Sequence, residues 1–181
     1  MMFSRKIIAV IIIAFVFIGA AGIMFFMSKA RQSNISSGSS AVVLLTLGDN
    51  AFKNTDGQEV TVSLLAGRPV IFHLWASWCS LCIKEITQLA ALKKEFGDAL
   101  TIVEVNRRES ADMVKKYADQ LDPGHNLMFV LDANDTLYQQ IKGFFMPESV
   151  FMDKDGIVRY HARGLMNVID AKRRIQDVFG I

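Results

Sequence analysis

Phe72-His73-Leu74-Trp75-Ala76-Ser77-Trp78-Cys79-Ser80-Leu81-Cys82 is the stretch on which the reading of this chain turns. The apolar run from Pro69 to Trp75 reads as a buried strand. The segment Ile83 to Phe96 reads as a helix, with Ile86, Leu89, Ala90 and Phe96 on one face by their spacing. Between them stand the chain's 2 cysteines, two residues apart. Strand, CxxC, helix is the setting in which a cysteine pair becomes a redox centre.

A thiolate is the nucleophile of disulfide exchange, and a free cysteine with pKa ~8.5 is mostly protonated at neutral pH. At the start of the helix, Cys79 meets unsatisfied backbone N–H groups and the positive end of the helix dipole, which favour its ionised form. Cys82 lies almost one turn later, within reach of a mixed disulfide formed at Cys79. The expected cycle is attack by Cys79, a mixed disulfide, and resolution by Cys82 to leave Cys79–Cys82 oxidised. Two plainer readings compete. A structural zinc site wants four Cys or His ligands; CxxC supplies two, and His73, His125 and His161 are scattered without ligand spacing, so no metal site is expected. A purely structural disulfide this short gains little from loop closure.

Of the 181 residues, 51% are hydrophobic, and one segment carries much of that excess. Ile7 to Met27 holds no charge, and about 20 apolar residues span a bilayer. A cleaved signal has a shorter apolar core, and Lys29 spoils Ser28-Lys29-Ala30 as a cleavage site, so an uncleaved anchor is favoured over a cleaved signal. No cysteine near its end allows lipid attachment. Arg5 and Lys6 flank one side, Lys29 and Arg31 the other, so charge hardly orients the segment. The short N-terminal side favours a domain outside the cytoplasm, a location that also suits a working disulfide. The expected organisation is an anchor with flanks over 1–31, a Ser-rich flexible linker over 32–41 and one globular domain over 42–181. By its composition the linker holds the domain on the order of 15–20 Å from the membrane. Net charge is +2 with both signs mixed, which gives no basis for a nucleic-acid surface.

Val42 to Leu47 and Glu59 to Val62 are expected strands, with Asp56-Gly57 as a turn signal between them. Leu100 to Val105 and Leu127 to Leu131 are further strands. Ser110 is placed to cap a helix through Met113, Val114 and Tyr117 to about Leu121. Asn134 to Lys142 makes a short helix closed by Gly143. Ser149–Met152 and Ile157–Tyr160 flank Asp153-Lys154-Asp155-Gly156 as a hairpin. Asn167 caps a last helix carrying Val168, Ile169, Ile175 and Val178. Strands alternating with helices, then a terminal hairpin, give an α/β domain with a mixed sheet.

From about Leu44 to Phe179 this order and these motifs resemble the membrane-anchored thioredoxin-like family of TlpA, ResA and CcmG type. Phe72 to Cys82 is similar to the family's strand-to-active-site segment. Met146-Pro147-Glu148-Ser149 through Gly156 is similar to its proline loop and hairpin. The resemblance implies a thioredoxin fold, a mixed central sheet flanked by helices, with an N-terminal β-hairpin, an inserted β-α unit and one preceding transmembrane helix. It implies Cys79 as exposed nucleophile, Cys82 as resolving cysteine and Pro147 as a cis-proline beside the disulfide. A cis bond there leaves the backbone of Met146 free to pair with an extended substrate, with Trp78 on the active-site rim. Read alone, Pro147 is an ordinary loop proline. Glu85 matches an acidic residue near the thiols of ResA-like members, placed to exchange protons with Cys82; read alone, it is a solvated helix glutamate. His73 stands where cytosolic thioredoxins carry a buried aspartate, either as a proton relay or as a packed core histidine.

The sequence departs from the family at Ser80-Leu81 between the cysteines and at Thr87, where a helix-kinking proline is common. It departs again at Met146, which makes the docking surface more apolar. The implied function is a membrane-tethered thiol–disulfide oxidoreductase in the periplasm or extracytoplasmic space, needing no cofactor. It would reduce protein disulfides, accept electrons from an upstream thiol donor and serve cytochrome c maturation, as Glu148 after the proline suggests. The alternative is a thioredoxin-like copper(I) metallochaperone using the two thiolates. A peroxidase of related fold is disfavoured by Trp-Cys-x-x-Cys.

Overall fold

A computed structural model describes residues 46–181. The expected anchor over 1–31, the linker over 32–41 and the first residues of the expected 42–47 strand lie outside the described residues. Among the described residues no helix is long and apolar enough to cross a membrane.

Seven strands form one sheet: β1 Ala51–Asn54, β2 Glu59–Thr61, β3 Val70–Trp75, β4 Thr101–Arg107, β5 Met128–Asp132, β6 Glu148–Met152 and β7 Val158–Arg163, in the order β2-β1-β5-β4-β3-β6-β7. The central β3, β4 and β5 are parallel, while β1, β6 and β7 join antiparallel. The sheet is therefore mixed, as expected. β3 is buried at all 6 positions. A strand covered on both faces reads as a continuous apolar run, which is why Val70 to Trp75 was legible.

The helices are α1 Ser80–Phe96, α2 Ala111–Leu121, α3 Thr136–Gln140 and α4 Val168–Phe179. One side of the sheet packs Ile71, Trp75, Ile102 and Phe151 against Ile86 and Leu89 of α1, Val114 of α2 and Ile175 of α4. The other side packs Phe72, Leu74, Val103 and Val105 against Leu47, the 3-10 turn Val62–Leu65 and Leu137 of α3. Alternation along β3 and β4 decides which layer each side chain joins. Trp75 is core, edge-on to Phe129 at 5.9 Å. Ser110 and Asn167 cap α2 and α4 by accepting from Met113 N and Asp170 N.

Two expectations are corrected. Thr46 makes only an isolated bridge to Ile157, and Leu47 is buried by packing in a loop, not in a strand. Gly48, at φ 57°, turns the chain there, and the first described strand is Ala51–Asn54. Asp56-Gly57 does turn the hairpin, but between β1 and β2. Val62 begins the 3-10 turn instead of ending a strand, because Thr61 caps that turn by accepting from Leu64 N. The terminal hairpin keeps its expected turn: Asp153 Oδ1 accepts from Asp155 N and Ile157 N, and Gly156 sits at φ 77°.

Phe72 is fully buried and lies 6.5 Å from the Phe52 ring. Phe72→Ala is expected to lower stability by about 3–5 kcal/mol in denaturant unfolding.

Candidate active site

β3 ends at Trp75, and four residues later Cys79 caps α1. Its Sγ accepts from Cys82 N at 3.2 Å, so a sulfur occupies the place where a Ser or Asp oxygen usually caps a helix. The helix thus begins at Ser80, three residues before the apolar periodicity shows it. Cys79 and Cys82 are joined, with Cα atoms 5.3 Å apart. Cys79 keeps 7% exposure, whereas Cys82 has none. A visiting thiol or disulfide can therefore meet the first sulfur and not the second. α1 continues without a break through Thr87, whose hydroxyl donates to Ile83 O.

The loop before Cys79 is held by a residue the sequence reading did not single out. Glu109 accepts from Ser77 N at 2.8 Å, from Ser77 Oγ at 2.6 Å and from Asn106 Nδ2 at 2.7 Å. Burial acts to raise this carboxyl, but the hydrogen bonds from Asn106 and Ser77 outweigh it and hold Glu109 below the ordinary glutamate range. Nothing in the local pattern of Arg107-Arg108-Glu109-Ser110 announces that role.

Pro147 is buried, and the Met146–Pro147 bond is cis. Glu148, next in line, pairs with Leu74, so this bond lies at the end of the sheet where β3 runs out toward Cys79. Met146 is half-buried against the cluster that contains both cysteines. Exposed apolar side chains flank these segments in sequence: Trp78 at 69% and Leu81 at 48% beside the cysteines, and Phe144 at 65% and Phe145 at 54% just before Met146. The two phenylalanines were also missed. Their backbone is tied down by Glu148, whose Oε1 accepts from Phe144 N and Phe145 N, both at 2.8 Å. His161 Nε2 donates to the other oxygen of Glu148 at 2.6 Å. Burial holds His161 below the ordinary histidine range, the Glu148 bond only partly offsets it, and Arg163 adds to the lowering.

Glu85 is not a solvated helix residue: it is 1% exposed. Its Oε1 accepts from Ser149 Oγ at 3.1 Å and its Oε2 from Met166 N at 3.2 Å. It follows Cys82 by three positions, on the same buried face of α1. His73 is fully buried, with Nδ1 at 2.5 Å from Glu104 Oε2 and Nε2 at 4.0 Å from Glu85 Oε2. Glu104 is equally buried and was not singled out from the sequence, although a glutamate inside Ile102-Val103-Glu104-Val105 was a visible anomaly. Among the described residues, no group of three or more His, Cys, Asp or Glu is arranged to hold a metal ion. A 640 Å³ cleft among Phe52, Asp56, Ala111 and Asn134 touches none of these groups.

This geometry matches known proteins over nearly the whole domain. The "Thiol:disulfide interchange protein DsbE" of Vibrio cholerae is 22% identical over 166 residues, covering 91% of this chain and 88% of the relative. The "Thiol-disulfide oxidoreductase ResA" of Geobacillus kaustophilus is 26% identical over 136 residues, 74% of this chain and 76% of the relative. The solved structure of MTB DsbF in its mixed oxidized and reduced forms superposes with a TM-score of 0.65 at 20% identity, covering 71% of this chain and 94% of that one. Fold and site together define a thioredoxin-like thiol–disulfide oxidoreductase of the CcmG/ResA type. The chain belongs to the AhpC/TSA family, whose profile matches residues 46–161.

Because the folded Glu109 carboxyl is depressed, the stability it adds is complete above the unfolded glutamate pKa of ~4.3 and fades as pH falls through its lower folded value. Glu109→Gln is expected to flatten that acid limb, read by following unfolding of both proteins between pH 5 and pH 2, on the order of the range that carboxylate linkage spans.

Proposed function

We propose that this protein is an extracytoplasmic, membrane-tethered reductant of protein disulfides. In its reduced form the Cys79 thiolate attacks a substrate disulfide, one substrate sulfur leaves, and a mixed disulfide forms at Cys79. Glu85 takes the proton from Cys82, whose sulfur then attacks Cys79 Sγ. The Cys79–substrate bond breaks, the electron pair leaves on the substrate sulfur, and Cys79–Cys82 forms. Trp78, Met146 and Pro147 form the surface on which the substrate segment lies, and an upstream thiol donor restores the dithiol.

The observation that carries this reading is the bonded pair at the start of α1, with one sulfur reachable and the other sealed. Tethering rests on the uncharged run Ile7 to Met27. Reduction in cytochrome c maturation is supported by the likeness to ResA and DsbE proteins and by the order Pro147-Glu148, a glutamate directly after the proline.

Wild type is expected to reduce insulin disulfides in the presence of a thiol donor, and Cys79→Ser to abolish turnover. Equal turnover by both proteins would sink the assignment. In cells, Cys82→Ser is expected to freeze mixed disulfides at Cys79, and mass spectrometry of the adducts names the substrate. The full-length chain is expected to resist alkaline extraction from membranes, with Cys79→Ser as well anchored as wild type. Recovery of the chain in the soluble fraction would overturn the tether.

A further inference from the structure

The mechanism so far leaves a buried charged pair unused. His73, Glu104 and Ser149 lie side by side across three strands, since His73 pairs with Glu104 of β4 and with Ser149 of β6. All three sit on the α1 side of the sheet, in alternation with Ile71, Ile102 and Phe151. Glu85 closes the row from α1 by its bond to Ser149. His73 Nε2 and Glu104 Oε1 are buried without a hydrogen-bond partner. Leaving buried polar atoms unpaired costs roughly 1–3 kcal/mol each. Apolar residues like the Ile71 and Ile102 on the same face would fill those positions without that cost, so the pair points to a task other than packing.

We propose that Glu104 and His73 form a buried proton-holding dyad that receives, by way of Glu85, the proton Cys82 gives up on resolving the mixed disulfide. The inference rests on the oxidoreductase reading above and extends it inward. In the reduced protein Glu104 accepts from His73 Nδ1–H, which leaves Nε2 as a bare acceptor facing Glu85. The hydrogen bond of one ring nitrogen sets the tautomer at the other. When Cys82 loses its proton to Glu85, that proton passes to His73 Nε2, and the imidazolium so formed lies between two carboxylates. The reverse transfer reprotonates Cys82 when the disulfide is reduced again. The 4.0 Å gap between Nε2 and Glu85 belongs to the oxidised state, and such contacts commonly tighten only in the reacting complex.

The groups facing the dyad agree with this. Glu85 faces it from α1 and Asp122 lies near Glu104 from the end of α2, while Ser149 from β6 is neutral. Burial opposes a charged His73, but the charge and hydrogen bond of Glu104, and then the charge of Glu85, outweigh it and hold His73 above the ordinary histidine range. Burial lifts Glu104 in turn; His73 only partly offsets that, and Glu85 and Asp122 add to the lift. His73 and Glu104 are thus positioning residues acting through Glu85.

The test is a single turnover of the reduced full-length chain with the chromogenic disulfide dithiobis-nitrobenzoate. The first nitrothiobenzoate release reports attack by Cys79, and the second reports resolution by Cys82. Glu104→Gln is expected to slow the second release at neutral pH by about tenfold or more while the first keeps its rate. The midpoint of the second step should move to higher pH, and Glu104→Asp should restore part of the rate. A second release unchanged in Glu104→Gln at every pH overturns the dyad. Loss of both releases in the wild type would instead overturn the oxidoreductase reading. A measurement free of any variant is the ¹⁵N spectrum of His73 in the reduced wild type, before the dyad has received the Cys82 proton. The proton is expected on Nδ1, and finding it on Nε2 with Nδ1 bare overturns the proposal.

Discussion

The structure depends on the junction where β3 stops and α1 starts. β3 lies inside the sheet, so its end is fixed by parallel pairing to β4 and antiparallel pairing to β6. Only a rigid strand end can present Cys79 to the first turn of a helix with the sulfur as the capping acceptor. That one placement accomplishes three things. It satisfies an N–H that would otherwise be unpaired. It sets the Cys79 sulfur where the helix dipole favours negative charge. It also places Cys82 almost one turn inward, sealed beneath the sulfur it must reach.

Everything around the junction either stiffens it or gives it a surface. Glu109 ties Ser77 to β4 through Asn106, so the loop between β3 and α1 is held from the neighbouring strand. Glu148 organises the opposite wall: one oxygen gathers the backbone of Phe144 and Phe145, and the other takes His161. The rim is consequently apolar outside and held by charged hydrogen bonds inside. Such bonds are stronger than neutral ones and hold the rim in shape.

Most of the site was legible in the residues, but for uneven reasons. Cys79 and Cys82 are read from motif and order, because CxxC between an apolar run and an amphipathic run leaves few arrangements, whereas Pro147 was legible only through the family resemblance. The hairpin at Asp153–Gly156 is legible because turn chemistry is local. At the described end of the expected 42–47 strand, burial of Leu47 is satisfied by loop packing against the far layer of the sheet, which strand-like composition does not distinguish from pairing. Glu85 could be read as solvated or functional until the chain was folded: helical spacing puts it on the Cys82 face, but only Ser149 and Met166 show what receives it there. Glu104 and Glu109 escaped because their partners lie 31 and 32 residues away in sequence.

By itself the sequence determined the alternation of strands and helices, the redox pair and its place at a helix start, and the positions that fill the core. Those properties follow from short-range spacing, periods near 2 and 3.6, and from the few residues that turn or cap a chain. The tertiary structure alone decided which carboxylates are sealed and which histidine faces which acid, while the reachable sulfur was implied beforehand only by the family resemblance. Exposure and ion pairing are set by strand order and register, which bring together residues the chain keeps far apart, and no local pattern encodes them.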